Sequence, residues 1–538
     1  MASELTPNLV AQSFIERFTV NPPMFLSGSS TVKLELKPYL QPFERVLAFR
    51  ELEALVGKNV EIAHEYGLHV LKTDTPTHLL QERLTYWQRV GRDVLVPTLQ
   101  KALEFTQSGT EKSSTSENLH GARRLRYGPH DLHEYRGKFF PQLVHSLINI
   151  SGVEDDAVVL DPMCGSGTTP CEVVASGRRA IASDLNPLSV LISTLKSQIT
   201  LVSPDVFQRS VNEYLSGFKF SATNPQDIWS DQDFDYLKRW FAPRALRDLA
   251  AILRDVRAIP SVFYRSFFEV CVSNIVRSVS WQKDVDLRVR KEVTDYASGH
   301  AIQRFVEEVS SQTDRIYPYL CMLPRSARID PDIRIGDATD VAKLFPDYVG
   351  CVDLLVTSPP YATALPYLDT DRLSLIAMGL LPRQAHKDTE WRMVGTREIS
   401  ERQRRETWTY FRSRKQELPG TVVRLIEAIG EANHATGVGF RRRNLPALLG
   451  KYFLNMMDAM RSAHSLMKPG AIGYYVVGNN STVVSGQKME IPTDQLLVEL
   501  GAAAGWQPSE VTPMELLVSR DIFKENRGSS EAILSFTA

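Results

Sequence analysis

The feature that most constrains the fold is an apolar run that ends in an acidic residue and is followed at once by closely spaced glycines. The β-rich run Ala157-Val-Val-Leu160 leads into Asp161, and Cys164-Gly-Ser-Gly167 precedes a helical stretch from Thr168. Glycines let a backbone approach a ligand closely, and open α/β sheets bind cofactors at the carboxyl ends of their strands. The segment therefore predicts a strand, a glycine-rich turn and a helix, with a cofactor site at the turn.

Similar β-rich runs recur along the chain and alternate with helical patterns. They are Arg179-Ala-Ile-Ala-Ser183, Val352-Asp-Leu-Leu-Val356 and Ala471-Ile-Gly-Tyr-Tyr-Val-Val477. Such alternation is typical of βαβ units in a parallel, doubly wound sheet. We therefore predict an α/β fold of the Rossmann-like kind.

At 538 residues the chain is too long for one ordinary core, so additions to the α/β domain are expected. Amphipathic stretches from Leu52 to Tyr66 and from Leu79 to Phe105 predict a helical accessory domain over 1–115, and the polar segment Thr106 to Asn118 predicts a linker. A terminal β-hairpin is predicted from Leu516–Ser519 and Ala532–Phe536. The predicted catalytic domain comprises 119–202, 331–382 and 445–538, interrupted by a helical insertion over 203–330 and a basic insertion over 383–444.

Composition restricts the class of protein. With 43% hydrophobic and 23% charged residues the chain is expected to be globular, and its apolar runs are too short for a membrane span. The N-terminus lacks the pattern of a secretory signal, so we expect a cytoplasmic location and no membrane partner. The five cysteines form no CxxC pair, which predicts free thiols, mostly buried, and no metal site.

Charge is concentrated locally, because the net charge is only −1. From Arg392 to Arg443 the chain is rich in arginine, interleaved with Trp408, Tyr410 and Phe411. One interpretation is a solvated helix face, since glutamates are mixed in; the other is a surface for nucleic-acid phosphates. The helical insertion over 203–330 and the basic insertion over 383–444 are both candidate target-recognition regions, and the basic one has the charge for phosphate contacts.

The glycine-rich turn does not fit the two common nucleotide motifs. A phosphate-binding loop requires a lysine after its last glycine, and Gly167 is followed by two threonines. The dinucleotide fingerprint requires a third glycine where the chain has Pro170. About 20 residues beyond the turn, Asp184 stands where an acid would meet a ribose diol.

The whole motif Asp161-Pro-Met-Cys-Gly-Ser-Gly-Thr-Thr169 resembles the S-adenosylmethionine-binding motif of the DNA amino-methyltransferases. The resemblance implies that Asp184 binds the ribose hydroxyls and that Asp337, in Arg334-Ile-Gly-Asp-Ala338, faces the adenine amino group. It also implies that His133-Glu-Tyr-Arg-Gly-Lys-Phe-Phe-Pro141 packs around the methionine end of the cofactor. The alternative for this segment is a plain loop, and the alternative for Asp337 is a helix cap. The candidate cofactor-binding residues are Lys138, Phe139, Pro141, Asp161, Met163, Cys164, Gly165, Gly167, Thr168, Asp184, Asn186 and Asp337.

A second motif, Thr357-Ser-Pro-Pro-Tyr361, follows a buried strand. Two prolines fix φ at roughly −65° and hold nearby acceptors rigidly at the strand end. This segment is similar to the catalytic motif of the same family, which implies that Ser358 and the carbonyl of Pro359 accept hydrogen bonds from a base amine and that Tyr361 stacks on the base. The candidate catalytic residues are Ser358, Pro359, Pro360 and Tyr361.

The resemblance implies methylation of an exocyclic amine in double-stranded DNA, with the target base flipped out of the helix. Serine at the first motif position favours cytosine N4 within the family, and adenine N6 is the second candidate. Two competing hypotheses are an RNA base methyltransferase and a nucleic-acid-binding methyltransferase homologue without catalytic activity. A partner from a restriction or defence system is expected if the enzyme belongs to such a system.

Overall fold

A computed structural model describes residues 31–57, 60–104, 125–135, 140–282, 291–324, 329–362, 367–396, 399–434, 439–484, 487–514 and 531–538. Within them, the N-terminal region forms an antiparallel sheet in the order β2-β3-β1-β4-β5. Its strands are β1 (Thr31–Leu36), β2 (Ile62–Glu65), β3 (Leu68–Lys72), β4 (Trp87–Gly91) and β5 (Val96–Pro97), and its helices are α1 (Pro42–Val56), α2 (Thr77–Arg83) and α3 (Leu99–Glu104).

The prediction of a helical N-terminal domain is therefore wrong in its secondary structure. In the stretch from Leu52 to Tyr66 the helix ends at Val56, and the chain continues into β2. Tyr66 and Gly67 both adopt positive φ and turn the chain back into β3. A two-residue turn of this type is the usual hairpin connection. The predicted linker lies outside the described residues.

The central sheet contains seven strands in the order β13-β14-β10-β9-β6-β7-β8. The run from β10 to β8 is parallel, and β14 is antiparallel to both of its neighbours. The sheet is thus doubly wound, as predicted, and the chain order reverses between β6 and β9. The strands are β6 (Val158–Asp161), β7 (Arg179–Asp184), β8 (Asp332–Ile335), β9 (Val352–Thr357), β10 (Met467–Gly478), β13 (Gln507–Met514) and β14 (Glu531–Thr537).

Successive residues of these strands point to opposite faces of the sheet, so each face contributes to a different apolar core. Val356 and Val476 pack in one core with Leu34 and Leu47 of the N-terminal region, whereas Leu355 packs on the opposite face. The N-terminal region therefore covers one face of the central sheet. The helices that flank the sheet are α4 (Pro141–Ser151), α5 (Thr168–Ala175), α6 (Pro187–Ile199), α12 (Val341–Leu344), α17 (Phe440–His464) and α18 (Thr493–Ala503).

Two groups of helices interrupt the α/β pattern. The first packs around a separate apolar cluster to which α6 also contributes. It comprises α7 (Pro204–Gly217), α8 (Asp231–Leu237), α9 (Pro243–Arg257), α10 (Val262–Val276) and α11 (His300–Met322). The second comprises α13 (Tyr367–Ala377), α14 (His386–Arg392), α15 (Glu401–Arg414) and α16 (Gly420–His434), which lead into α17.

The terminal hairpin was predicted to pair Ala532–Phe536 with Leu516–Ser519. In the structure β14 pairs instead with β13, which comes earlier in the chain, and Leu516–Ser519 lies outside the described residues. A second hairpin joins β11 (Asn480–Val484) to β12 (Gln487–Ile491). Among the described helices, none has both the length and the apolarity needed to span a bilayer. Cys164, Cys171 and Cys271 are buried free thiols, and Cys321 and Cys351 are exposed.

Candidate active site

A cavity that is open to solvent lies at the carboxyl ends of β6, β7, β8 and β9. This is the point where the strand order reverses, which is where doubly wound sheets bind ligands. The glycine-rich turn, the acid after β7 and the Ser-Pro-Pro turn all reach it. The cavity is lined by Tyr135, Pro162, Met163, Cys164, Gly165, Ser166, Thr168, Asp184, Leu185, Gly336, Asp337, Ala338, Ser358, Pro360, Arg392, Met393 and Val394.

Asp161 is buried behind this cavity and joins the two motifs. Its Oδ1 accepts hydrogen bonds from the Thr357 hydroxyl at 2.6 Å and from the Met163 backbone N–H at 3.1 Å. Burial raises the pKa of Asp161 to about 7, and the hydrogen bond from Thr357 opposes that shift. Asp161 is absent from the cavity lining, so it supports the turn from behind.

The two glycines of the turn have different roles. Gly165 has φ +49° and lines the cavity, and a Cβ there would lie 3.2 Å from the ring of Tyr135. Gly167 has φ +79° and does not line the cavity, and a Cβ there would lie 2.5 Å from the Cα of Ser193. Gly165 therefore allows Tyr135 to pack over the turn at the cavity, whereas Gly167 allows α5 and α6 to pack closely.

Asp184 presents a carboxylate to the cavity from the end of β7. Its Oδ2 accepts from the N–H of Gly165 at 2.9 Å and its Oδ1 from the N–H of Asn186 at 2.8 Å. Burial raises the pKa of Asp184 to about 6, and these backbone bonds lower it. A carboxylate has about four acceptor positions, so both oxygens retain capacity for hydroxyl donors. This arrangement fits a ribose diol.

The part of the cavity wall next to Asp184 comes from the segment after β8 and from the end of α14. Asp337 accepts from the N–H and the hydroxyl of Thr339, and its Oδ2 lies 3.9 Å from Arg392 Nη2. The buried ammonium of Lys451 donates to the carbonyl of Met393 at 3.0 Å. Burial lowers the pKa of Lys451 to about 8, and the charge of Asp337 opposes this. Lys451 thus fixes the wall segment that includes Met393.

The Ser-Pro-Pro turn reaches the same cavity from β9. The hydroxyl of Ser358 donates to the carbonyl of Val476 at 3.0 Å, and Ser358 and Pro360 line the cavity. Because its proton is engaged with β10, the oxygen of Ser358 is left as an acceptor. The geometry is suited to hold an N–H donor beside a ligand at the glycine-rich turn.

Tyr361 follows the turn and is held on two sides. Its hydroxyl donates to Glu531 Oε1 at 2.8 Å, and its ring packs over Gly478, where a Cβ would lie only 2.7 Å away. Tyr361 is not part of the cavity lining. Its ring therefore stands beside the cavity at the end of β10.

The cavity brings together only part of the set predicted from the sequence. Asn186 instead caps α6 and donates to Asp371 at 2.9 Å, so its side chain is committed to holding α6 and α13 together. Lys138 and Phe139 lie outside the described residues. The predicted residues that line the cavity are Met163, Cys164, Gly165, Thr168, Asp184, Asp337, Ser358 and Pro360, and those that do not are Pro141, Asp161, Gly167, Asn186, Pro359 and Tyr361.

The sequence prediction also missed lining residues. Some of them adjoin predicted residues in the same turns: Pro162, Ser166, Leu185, Gly336 and Ala338. Tyr135 accepts a hydrogen bond from Ser189 and covers Gly165. It lies inside the segment that resembles the first family motif, so a signal for it existed. Arg392, Met393 and Val394 belong to the basic insertion, and no motif marks them.

Comparison with known proteins identifies the protein as a methyltransferase, and its central sheet is of the Rossmann-like kind. Residues 132–212 match the family model described as RMKL-like, methyltransferase domain. The chain is 22% identical over 386 residues to the Type II methyltransferase M.MvaI of Kocuria varians, covering 69% of this chain and 80% of that protein. It is 38% identical over 69 residues to the Type II methyltransferase M.MjaII of Methanocaldococcus jannaschii, 13% of either chain.

These matches agree with the methyltransferase class that the two motifs indicated. Among solved structures, the rRNA methyltransferase aviRa from Streptomyces viridochromogenes aligns with 12% identity and a TM-score of 0.26. The alignment covers 76% of this chain and 88% of that one.

Proposed function

We propose that the protein transfers a methyl group from S-adenosylmethionine to the exocyclic amine of a base in double-stranded DNA, with cytosine N4 as the preferred target. The observation that carries the proposal is that one cavity holds both Asp184 and Ser358. A carboxylate suited to a ribose diol and an acceptor suited to a base amine therefore face the same space.

The lining residues fit an adenosyl group. Asp184 retains acceptor positions for the ribose hydroxyls, Gly165 lines the cavity, and Asp337, after the neighbouring strand, offers a carboxylate to an adenine amine. S-adenosylmethionine, when bound, supplies an electrophilic methyl group on a sulfonium. The protein's task is then to orient the base nitrogen toward that methyl group and to exclude water.

The Ser358 oxygen, which lines the cavity, would accept one N–H bond of the target amine. The carbonyl of Pro359 is the candidate acceptor for the other, although Pro359 itself is not part of the lining. The lone pair of such an amine is delocalised into the ring, and acceptors on its N–H groups favour its localisation toward the methyl group. Rigid positioning of this kind supplies a large part of the rate of a transfer reaction. A base within a duplex cannot reach the cavity, so the target is flipped out, with the ring of Tyr361 beside it.

Incubation of the protein with tritium-labelled S-adenosylmethionine and unmodified plasmid DNA tests the proposal. We expect label in DNA as N4-methylcytosine, and its loss in Ser358→Ala with cofactor affinity retained. Ser465→Ala, at the exposed end of α17, is the matched control. Label as N6-methyladenine would change the base but not the reaction. If the protein binds the cofactor and labels RNA but not DNA, the substrate is RNA and not DNA. Failure to bind the cofactor would refute the proposal.

A further inference from the structure

The basic insertion contributes one charged side chain to the wall of the cavity. Arg392, the last residue of α14, lines the cavity, and its side chain is 59% exposed. Its Nη2 lies 3.9 Å from Oδ2 of Asp337, which follows β8. Oδ1 of Asp337 accepts two hydrogen bonds from Thr339, so Oδ2 is the oxygen left for a ligand. A donor and an acceptor therefore stand side by side at this part of the cavity.

The backbone that carries Arg392 is held in place from α17. The buried ammonium of Lys451 donates to the carbonyl of Met393 at 3.0 Å and lies 5.4 Å from the centre of the Trp391 ring. The hydroxyl of Thr396 also donates to the carbonyl of Met393, at 2.9 Å, which closes the segment into a turn. Arg392 thus projects into the cavity from a fixed backbone.

We infer that Arg392 is a specificity-determining residue for the cofactor and that its guanidinium donates to a ring nitrogen of the adenine. The inference rests on the proposed function, in which Asp337 accepts from the adenine amine. In adenine that amine lies between two acceptors, N1 and N7. A carboxylate beside a guanidinium matches a donor beside an acceptor. Leu185 and Met393 line the same cavity and offer apolar surface to the planar ring.

A phosphate of the DNA backbone is the other ligand that an arginine at this position could bind. The carboxylate of Asp337 disfavours it, because a second anion at such a short distance would be repelled. Adenine is neutral, so it can contact Asp337 and Arg392 together without this repulsion. The pairing of the two side chains therefore favours adenine.

The test measures, by isothermal titration calorimetry, binding of S-adenosylhomocysteine and of its 1-deaza and 7-deaza analogues, each of which lacks one ring nitrogen. For the wild type we expect one analogue to bind about tenfold more weakly, the equivalent of about 1.4 kcal/mol. Arg392→Ala should weaken S-adenosylhomocysteine binding by a similar factor and show no further loss with that analogue. Arg392→Lys keeps a donor and should retain part of the discrimination. Lys387→Ala removes an exposed cation of the same helix outside the cavity lining and is the matched control.

Thermal unfolding verifies that each variant is folded. If each analogue loses the same factor in the wild type and in Arg392→Ala, or if the wild type discriminates against neither analogue, the inference is overturned. Loss of DNA affinity in Arg392→Ala with unchanged S-adenosylhomocysteine affinity would assign the residue to a phosphate and overturn it as well. All these outcomes leave DNA methylation by the wild type intact. A wild-type protein that binds no S-adenosylhomocysteine would refute the proposed function and this inference together.

Discussion

Asp161 and Thr357 share a 2.6 Å hydrogen bond that joins the turn after β6 to the end of β9. The two residues are 196 positions apart in sequence, and both are buried. One hydroxyl thus connects the glycine-rich turn to the segment that carries Ser358. In the proposed reaction, the relative placement of methyl donor and acceptor depends on this contact.

We expect Thr357→Val to destabilise the protein by about 1–3 kcal/mol, because it leaves the buried Asp161 carboxyl short of a donor. Thr357→Ser, which keeps the hydroxyl, should stay close to wild type. Chemical denaturation measures the free energy of unfolding of all three proteins. Equal stability of the valine variant would mean that the hydrogen bond has no net effect.

The buried Asp161 carboxyl should make stability depend on pH. Its pKa in the folded protein is about 7, above the ordinary value near 4, so the folded state binds more protons than the unfolded state between these values. The contribution of Asp161 to stability is therefore greatest below about pH 4 and is lost as pH rises toward 7, with a slope of at most about 1.4 kcal/mol per pH unit. Asp161→Asn should remove this slope from unfolding curves recorded across that range; unchanged slopes would contradict the assignment.

Replacement of Asp184 by alanine should weaken S-adenosylmethionine binding at least tenfold, because hydrogen bonds to charged groups contribute about 1.5–3 kcal/mol. Asp353 is a matched control. It accepts from the N–H of Val158 at the opposite end of the strands, so Asp353→Ala should affect stability but not affinity. Isothermal titration calorimetry measures the S-adenosylmethionine affinity of both variants. A similar loss of affinity in both would show that Asp184 does not bind the cofactor directly.

Gly478→Ala should displace the ring of Tyr361, since the added Cβ would lie 2.7 Å from it. A displacement of about 1 Å can reduce a transfer rate by about 100-fold. We expect the turnover number on DNA to fall at least tenfold while cofactor affinity is unchanged. Gly217→Ala, with no atom within 4 Å of the added Cβ, is the control. Normal turnover by the Gly478 variant would show that the ring position is unimportant.

Strands β6, β7, β9 and β10 of the central sheet were predictable because they contain apolar runs, whereas β13 is polar and exposed and was not predicted. The N-terminal sheet was not predicted, although the alternation in Thr31–Leu36 and the Tyr66-Gly67 turn carried a signal for it. Its strands are short and contain charged residues, so the apolar pattern of a strand was difficult to distinguish from that of a helix in this region.

The site was predictable where residues of the sequence motifs also line the cavity, as Asp184, Gly165 and Ser358 do. Gly167 belongs to the same motif, but its role is decided by the approach of Ser193 from the next helix. Met393 reaches the cavity because Lys451, 58 residues later, holds its carbonyl. Such contacts arise from tertiary packing, which no local pattern in the sequence encodes.

Because Leu34 and Leu47 share a core with Val356 and Val476, the N-terminal region is a layer of the catalytic fold itself. A shortened protein that begins after this region would leave an apolar face of the sheet in water. Exposed faces of this kind promote aggregation. Attempts to obtain a minimal catalytic fragment should therefore retain residues 31–104, and activity lost on trimming them would reflect a failure to fold rather than the removal of a separate functional module.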